Sequence, residues 1–128
     1  MPELLETAEA APDSEAMVIV AGNQVVGFYR LDFMPGAVAA RNFGEPSAGL
    51  RGFFIDSRFQ GRGLGRFAMD AVIEDLRRRH PTVRVLALSV NQRNPVARQL
   101  YLRSGFQDHG EVFPGGSAGP QDVMVRRL

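Results

Sequence analysis

The 128-residue chain contains no cysteine and no tryptophan, and its 15 basic residues are all arginine, so lysine is missing as well. Without cysteine there is no disulfide framework, no thiol nucleophile and no cysteine-based zinc site. Without lysine, a Walker-type phosphate loop and Schiff-base chemistry are excluded. Only His80 and His109 are available to an imidazole-built metal site, and no metal is expected. Chemistry is left to backbone groups, arginine, carboxylates, hydroxyls and tyrosine.

Net charge is close to zero. A formal net charge of +1 argues against nucleic acid as a partner, although clustered arginines leave room for local anion sites. No apolar run approaches the roughly 18 residues that a membrane span needs, so no membrane partner is expected. The start of the chain carries Glu3, Glu6, Glu9, Asp13 and Glu15 and no base, the opposite of a secretory leader. The default reading is a cytoplasmic enzyme. The length suits one domain able to bury roughly two thirds of its unfolded surface. Residues 1–16 read as a short N-terminal extension, helical from Glu3 to Ala11 and stopped by Pro12, and residues 17–128 as the domain.

What is present is a readable order of elements. Met17–Ala21 and Gln24–Phe33 flank a Gly22-Asn23 turn and read as a β-hairpin, with Gly27 marking a bulge or a close backbone approach. Leu50–Asp56 has apolar side chains on both faces and suits a central strand. Leu64, Phe67, Ala68, Ala71, Val72 and Leu76 recur at helical spacing, and Arg77–Arg79 and Pro81 close that helix. Val83–Val90 reads as a buried strand. Asn94-Pro95 opens a second helix as N-cap and first helical residue, and Gly105 ends it. Phe106–Phe113 and Gln121–Arg127 read as antiparallel strands. The order implies a mixed α/β sheet with helices on its faces.

Gln60-Gly61-Arg62-Gly63-Leu64-Gly65-Arg66 lies between the central strand and the first helix. Alternating glycines let the backbone curl and gather N–H groups at a helix start, where the dipole is positive, and two arginines add charge. A plain strand–helix connector has the same look, but the flanking arginines favour an anion site. The spacing is not that of a dinucleotide loop, because Arg66 stands where G-x-G-x-x-G needs its last glycine. Gly115-Gly-Ser117-Ala-Gly119 spells a nucleophile elbow, yet no helix and no histidine follow it, and it reads as a turn.

The stretch from Phe53 to Gly65, with Gln60, Gly61, Gly63 and Gly65 in order, resembles the acetyl-CoA-binding motif of GCN5-related N-acetyltransferases (GNATs). Downstream, Leu88 to Phe106, with Asn94, Ala97, Tyr101 and Gly105, is similar to a second motif of that family. The resemblance covers residues 17–128. It implies a GNAT-like mixed, mostly antiparallel sheet with helices on both faces, shortened at the N-terminus. It implies acetyl-CoA as cosubstrate, with Gly61, Arg62, Gly63, Leu64, Gly65 and Arg66 around the pyrophosphate and Gln60 beside them. Backbone at Phe54 and Ile55 would hold the pantetheine arm and polarise the thioester carbonyl. Asn94 would touch the arm, and Tyr101 would act as general acid toward the departing sulfur. The implied reaction is direct attack by a primary amine (a small molecule, a polyamine or a peptide) without an acyl-enzyme. The alternative is a non-catalytic acyl-CoA-binding module.

On helix spacing alone Tyr101 is equally a packing residue, Asn94 an ordinary cap, and Gln60 a loop side chain bonded to backbone. Two departures from the family stand out. Relatives carry a strand and a pair of helices before the hairpin, and a sheet lacking them exposes an edge that favours a homodimer. Many relatives also carry a glutamate where this chain has Ala48-Gly49-Leu50-Arg51, which leaves Glu45, Asp56 and Glu111 as unranked candidates for the base. The wording around Phe53–Gly65, with Gly110-Glu111, resembles the spermine/spermidine acetyltransferase branch, although no cluster of acids suited to a polyamine is visible.

Overall fold

A computed structural model describes residues 13–34, 36–39, 43–61, 63–110, 112–114 and 119–128, together with the backbone of 4–11. The described residues form one seven-stranded sheet ordered β1-β2-β3-β4-β5-β7-β6. Its elements are β1 (Leu4–Ala11), β2 (Ser14–Ala21), β3 (Gln24–Asp32), β4 (Ser47–Ile55), α1 (Leu64–Arg79), β5 (Val85–Asn91), α2 (Pro95–Arg103), β6 (Gln107–Asp108) and β7 (Gln121–Arg127). All strand pairs are antiparallel except β4 with β5.

The hairpin at Gly22-Asn23 forms as expected, with Ala21 opposite Gln24. Gly27 meets both parts of its expectation. The β2–β3 register shifts beside it, and a Cβ at Gly27 would lie 2.2 Å from the Phe54 carbonyl oxygen. Residues 4–11 are a strand rather than the expected helix. Their Glu- and Ala-rich composition favours a helix locally, but register with Ser14–Val20 of β2 supplies a ladder that outweighs propensity. The segment set apart as an extension therefore contributes a strand to the same sheet. The strand expected over Phe106–Phe113 shrinks to Gln107–Asp108 plus a single bridge from Phe113 to Gln121.

The core lies on one face of the sheet. Met17, Ile19, Tyr29, Leu31, Leu50, Leu86, Leu88 and Met124 point there and pack against Leu64, Ala68, Met69, Val72, Ile73 and Leu76 of α1. Ala97 and Tyr101 of α2 join the same cluster, so both described helices cover the same face. Helices on both faces were expected. The opposite face near Ala87 and Val123 is instead covered by Val38, Ala39 and Phe43. Prolines and glycines between β3 and β4 (Pro35, Gly36, Gly44, Pro46) explain the absence of a helix there among the described residues.

At its C-terminal end α1 is tied to β2 by charge. Arg79 donates to Glu15 at 2.9 Å and to Asp75 at 2.8 Å, and His80 lies 3.2 Å from Glu15. Burial alone would raise the Glu15 carboxyl, but the Arg79 hydrogen bonds and charge, with His80, hold it below its ordinary value. Beside this cluster the Tyr29 hydroxyl is buried without a hydrogen-bond partner, and burial pushes its phenol up.

Candidate active site

β4 and β5 pair only from Ser47–Gly49 to Val85–Ala87. Beyond those residues both strands continue, to Ile55 and Asn91, without pairing to each other. The parting begins where β4 carries an extra residue. Arg30 faces Arg51 and Phe28 faces Phe54, so β4 spends three steps against two on β3, and Gly52 takes φ +60°. Such a bulge bends its strand and raises its twist, which swings the end of β4 away from β5.

Backbone direction on the parted strand follows from one hydrogen bond. The Asp56 N–H donates to the Val26 carbonyl at 2.8 Å, toward β3. Strand alternation then turns the peptide groups of Phe54 toward β3 and those of Phe53 and Ile55 toward the opening. The sequence reading named Phe54 and Ile55. Phe53 belongs beside Ile55, and Gly52 was the overlooked signal, because an extra residue changes which neighbour each peptide group faces. Phe54 contributes its ring, which is half-exposed and stacked on Phe28 with centroids 5.1 Å apart. Gln60 bonds to backbone, its side-chain amide donating to the Ile55 carbonyl at 2.6 Å.

The glycine loop delivers α1 to the mouth of this opening. Gly61 and Gly63 have φ of +79° and +73°, conformations that exclude most side chains. Gly63 is the N-cap, and the first turn has neither a side-chain cap nor an acidic residue. The first helical bond runs from the Phe67 N–H to the Gly63 carbonyl, so the N–H groups of Leu64, Gly65 and Arg66 have no partner within the helix. Gly65 is small because α2 lies close, with a Leu100 methyl 3.4 Å from where its Cβ would sit. Arg66 makes an exposed 3.4 Å contact with Asp70. Arg62 lies outside the described residues.

On α2, Asn94 caps the helix as expected, its side-chain oxygen accepting the Ala97 N–H at 3.1 Å. Tyr101 packs against Phe106, with centroids 5.7 Å apart, and burial pushes its phenol above the ordinary value.

The candidate bases fare differently. Glu45 is ion-paired with Arg127. Arg127 lies opposite Val85, at the end of the sheet away from the opening. Asp56 stands at the mouth but is engaged by Arg58, whose guanidinium and backbone N–H hold it below the usual carboxylate range. Glu111 lies outside the described residues. Gly49, within the Ala48–Arg51 stretch, has Val38 packed over it, with a methyl 3.0 Å from where a Cβ would sit. Among the described residues no group of acids or histidines is arranged to hold a metal ion. No described helix is long and apolar enough to cross a membrane.

A sheet split between two parallel strands, with an uncapped helix start at its mouth, defines the class of mixed α/β domain to which this chain is assigned. It belongs to the acetyltransferase (GNAT) family, whose model matches residues 1–106. It is 41% identical over 76 residues to the spermine/spermidine N(1)-acetyltransferase of Bacillus subtilis strain 168, a match covering 59% of this chain and 47% of that protein. A probable spermine N(1)-acetyltransferase of B. subtilis subsp. natto is 40% identical over the same length. The chain thus spans about half the length of the curated relatives it matches. Among solved structures, the aminoglycoside acetyltransferase AAC(6')-Ib with coenzyme A and kanamycin aligns with a TM-score of 0.74 at 19% identity, over 90% of this chain and 67% of that one. The Vibrio cholerae spermidine N-acetyltransferase with CoA and spermine aligns at 0.69 and 21% identity, over 91% and 66%. These structures share the fold.

Proposed function

We propose that the chain is an acetyl-CoA-dependent N-acetyltransferase acting on a primary amine. The observation that carries this reading is the juxtaposition of two backbone features: unpaired N–H groups at the start of α1 and outward-facing peptide groups of Phe53 and Ile55 on a strand parted from its neighbour. A helix start suits a pyrophosphate, and an unpaired strand edge suits an extended amide-bearing arm. Bound there, acetyl-CoA would supply the activated acetyl group. Gly61, Gly63, Leu64, Gly65 and Arg66 hold the phosphates, with Arg62 adding charge and Gln60 bracing the end of β4 through Ile55. An N–H of Phe53 or Ile55 polarises the thioester carbonyl. Asn94 borders the arm. That the curated relatives are spermine/spermidine and probable spermine acetyltransferases supports an amine acceptor.

In this reading Tyr101 donates a proton toward the sulfur as the N–C bond forms and the C–S bond breaks. Its raised phenol keeps the proton at neutral pH. Full transfer even from a phenol at its ordinary value near 10 to a thiolate near 8.5 is uphill by about 2 kcal/mol, and burial of Tyr101 makes it steeper, so the hydroxyl acts first as a hydrogen-bond donor and transfers as sulfur charge builds. The reading carries a cytoplasmic location and a homodimer; β1 supplies the strand expected to be missing before the hairpin, so the dimer would pair on β1 itself, an edge strand of the sheet.

The absence of a free carboxylate at the mouth among the described residues favours a second reading, an acyl-CoA-binding module without transfer. Both readings predict that acetyl-CoA raises the melting temperature, since a ligand of the native state stabilises it. Only the enzyme releases CoA when a primary amine is added. No thermal shift with acetyl-CoA refutes both.

A further inference from the structure

One sheet face beside the opening has a composition the transfer chemistry does not use. Phe28, Arg30 and Asp32 alternate with the core residues Tyr29 and Leu31, so they share the face turned away from α1 and α2. Arg51 and Phe54 stand on that same face, directly opposite Arg30 and Phe28. Two arginines facing each other across an antiparallel pair repel, an arrangement that costs stability unless something between them is negative. Asp32 answers one of them, at 3.6 Å from Arg51. Arg30 donates instead to the neutral Ser14 hydroxyl at 3.1 Å. Of the two guanidiniums, Arg51 thus has a carboxylate partner and Arg30 only a hydroxyl. The stacked rings lie two residues along β3 from the arginines, about 7 Å, and Phe54 sits on the parted end of β4.

Resting on the acetyltransferase reading, we propose that this face selects its acceptor, and that the acceptor is an amine carrying a carboxylate about 7 Å or more from the nitrogen. Arg30 and Arg51 hold the carboxylate, which replaces their mutual repulsion with two charge-assisted bonds. The Phe28–Phe54 pair lines the path of the methylene chain and strips water from the amine as it reaches the thioester. Phenyl walls and two guanidiniums, with Asp32 engaged by Arg51, disfavour the ammonium form, so the amine arrives nearer its reactive neutral state. A polycation gains nothing from the paired guanidiniums and is the poorer substrate.

The test is CoA release with three probes: 6-aminohexanoate, its neutral carboxamide, and spermidine. The expected result is a kcat/KM for 6-aminohexanoate at least about tenfold above the carboxamide and above spermidine, the range of one charge-assisted hydrogen bond. Arg30→Gln and Arg51→Gln each remove most of that advantage by raising KM for the acid while kcat holds. Their thermal shift with acetyl-CoA stays at the wild-type level, which shows that they are folded and loaded. Equal or better turnover of the carboxamide or spermidine overturns the proposal and leaves the transferase reading standing. So does an acid preference that survives both substitutions. If acetyl-CoA gives no thermal shift and none of the three probes releases CoA, the transferase reading fails and takes the proposal with it.

Discussion

Replacing Gly27 by alanine tests how the bulged end of β4 is held. The new Cβ would lie 2.2 Å from the Phe54 carbonyl oxygen and 3.1 Å from the Ile55 side chain. An ordinary contact needs more than an ångström beyond the first distance, and the obstacle is backbone, so β3 and β4 must separate at the pair Gly27–Ile55. Overpacking and a weakened ladder cost about 2–4 kcal/mol, and the alanine recovers about 0.5–1 kcal/mol because glycine is a poor strand residue. The net loss is about 1.5–3 kcal/mol. For 128 residues at about 2.1 cal/mol/K of unfolding entropy per residue, melting falls by roughly 6–11 °C. The same separation displaces the peptide groups of Phe53 and Ile55, so the melting-temperature gain from acetyl-CoA shrinks too. The assay is circular-dichroism melting with and without acetyl-CoA. Gly22→Ala serves as control: its φ of +60° carries a conformational cost of about 1–2 kcal/mol, but nothing lies within 4 Å. It should melt lower and keep the full acetyl-CoA gain. A Gly27→Ala protein that melts like wild type with an undiminished gain refutes the argument that the Gly27 contact sets the geometry of the opening.

Three further outcomes follow from the same geometry. Tyr101→Phe should keep its thermal shift with acetyl-CoA and lose roughly 100-fold or more in turnover, as read by steady-state CoA release; unchanged turnover with a good amine returns Tyr101 to packing. Glu15 is held below its ordinary value in the folded chain, so its contribution is present above the unfolded value near 4.5 and is lost as pH falls through the lower folded one. Acid melting curves should therefore be shallower for Glu15→Gln than for wild type, and parallel curves would contradict this. Tyr29→Phe removes a buried hydroxyl that has no partner, and should raise stability by about 0.5–1.5 kcal/mol in urea unfolding; a loss of stability would mean that the hydroxyl is satisfied.

Local rules made much of this structure legible from sequence. The Gly22-Asn23 hairpin, the Asn94-Pro95 helix start, the stop after Arg79 and the left-handed glycines at 61 and 63 each depend on a few adjacent residues. The misreadings share one cause, namely partners distant in sequence. Residues 4–11 look helical until β2 lies beside them. The direction of Phe53, Phe54 and Ile55 depends on an extra residue at Gly52, which shows itself only against the register of β3. The candidate site was legible as far as backbone chemistry reached, because glycine loops announce themselves. The acceptor face was not, because Arg30 and Arg51 are 21 positions apart and meet only through the β3–β4 register.

The most direct test of the account is acetyl-CoA turnover read with a thiol-reactive dye. The chain contains no cysteine, so any thiol that appears is CoA. The account predicts saturable, amine-dependent release of CoA, diminished by Tyr101→Phe. Acetyl-CoA that binds but releases no thiol with any primary amine, whether anionic, neutral or cationic, would contradict it.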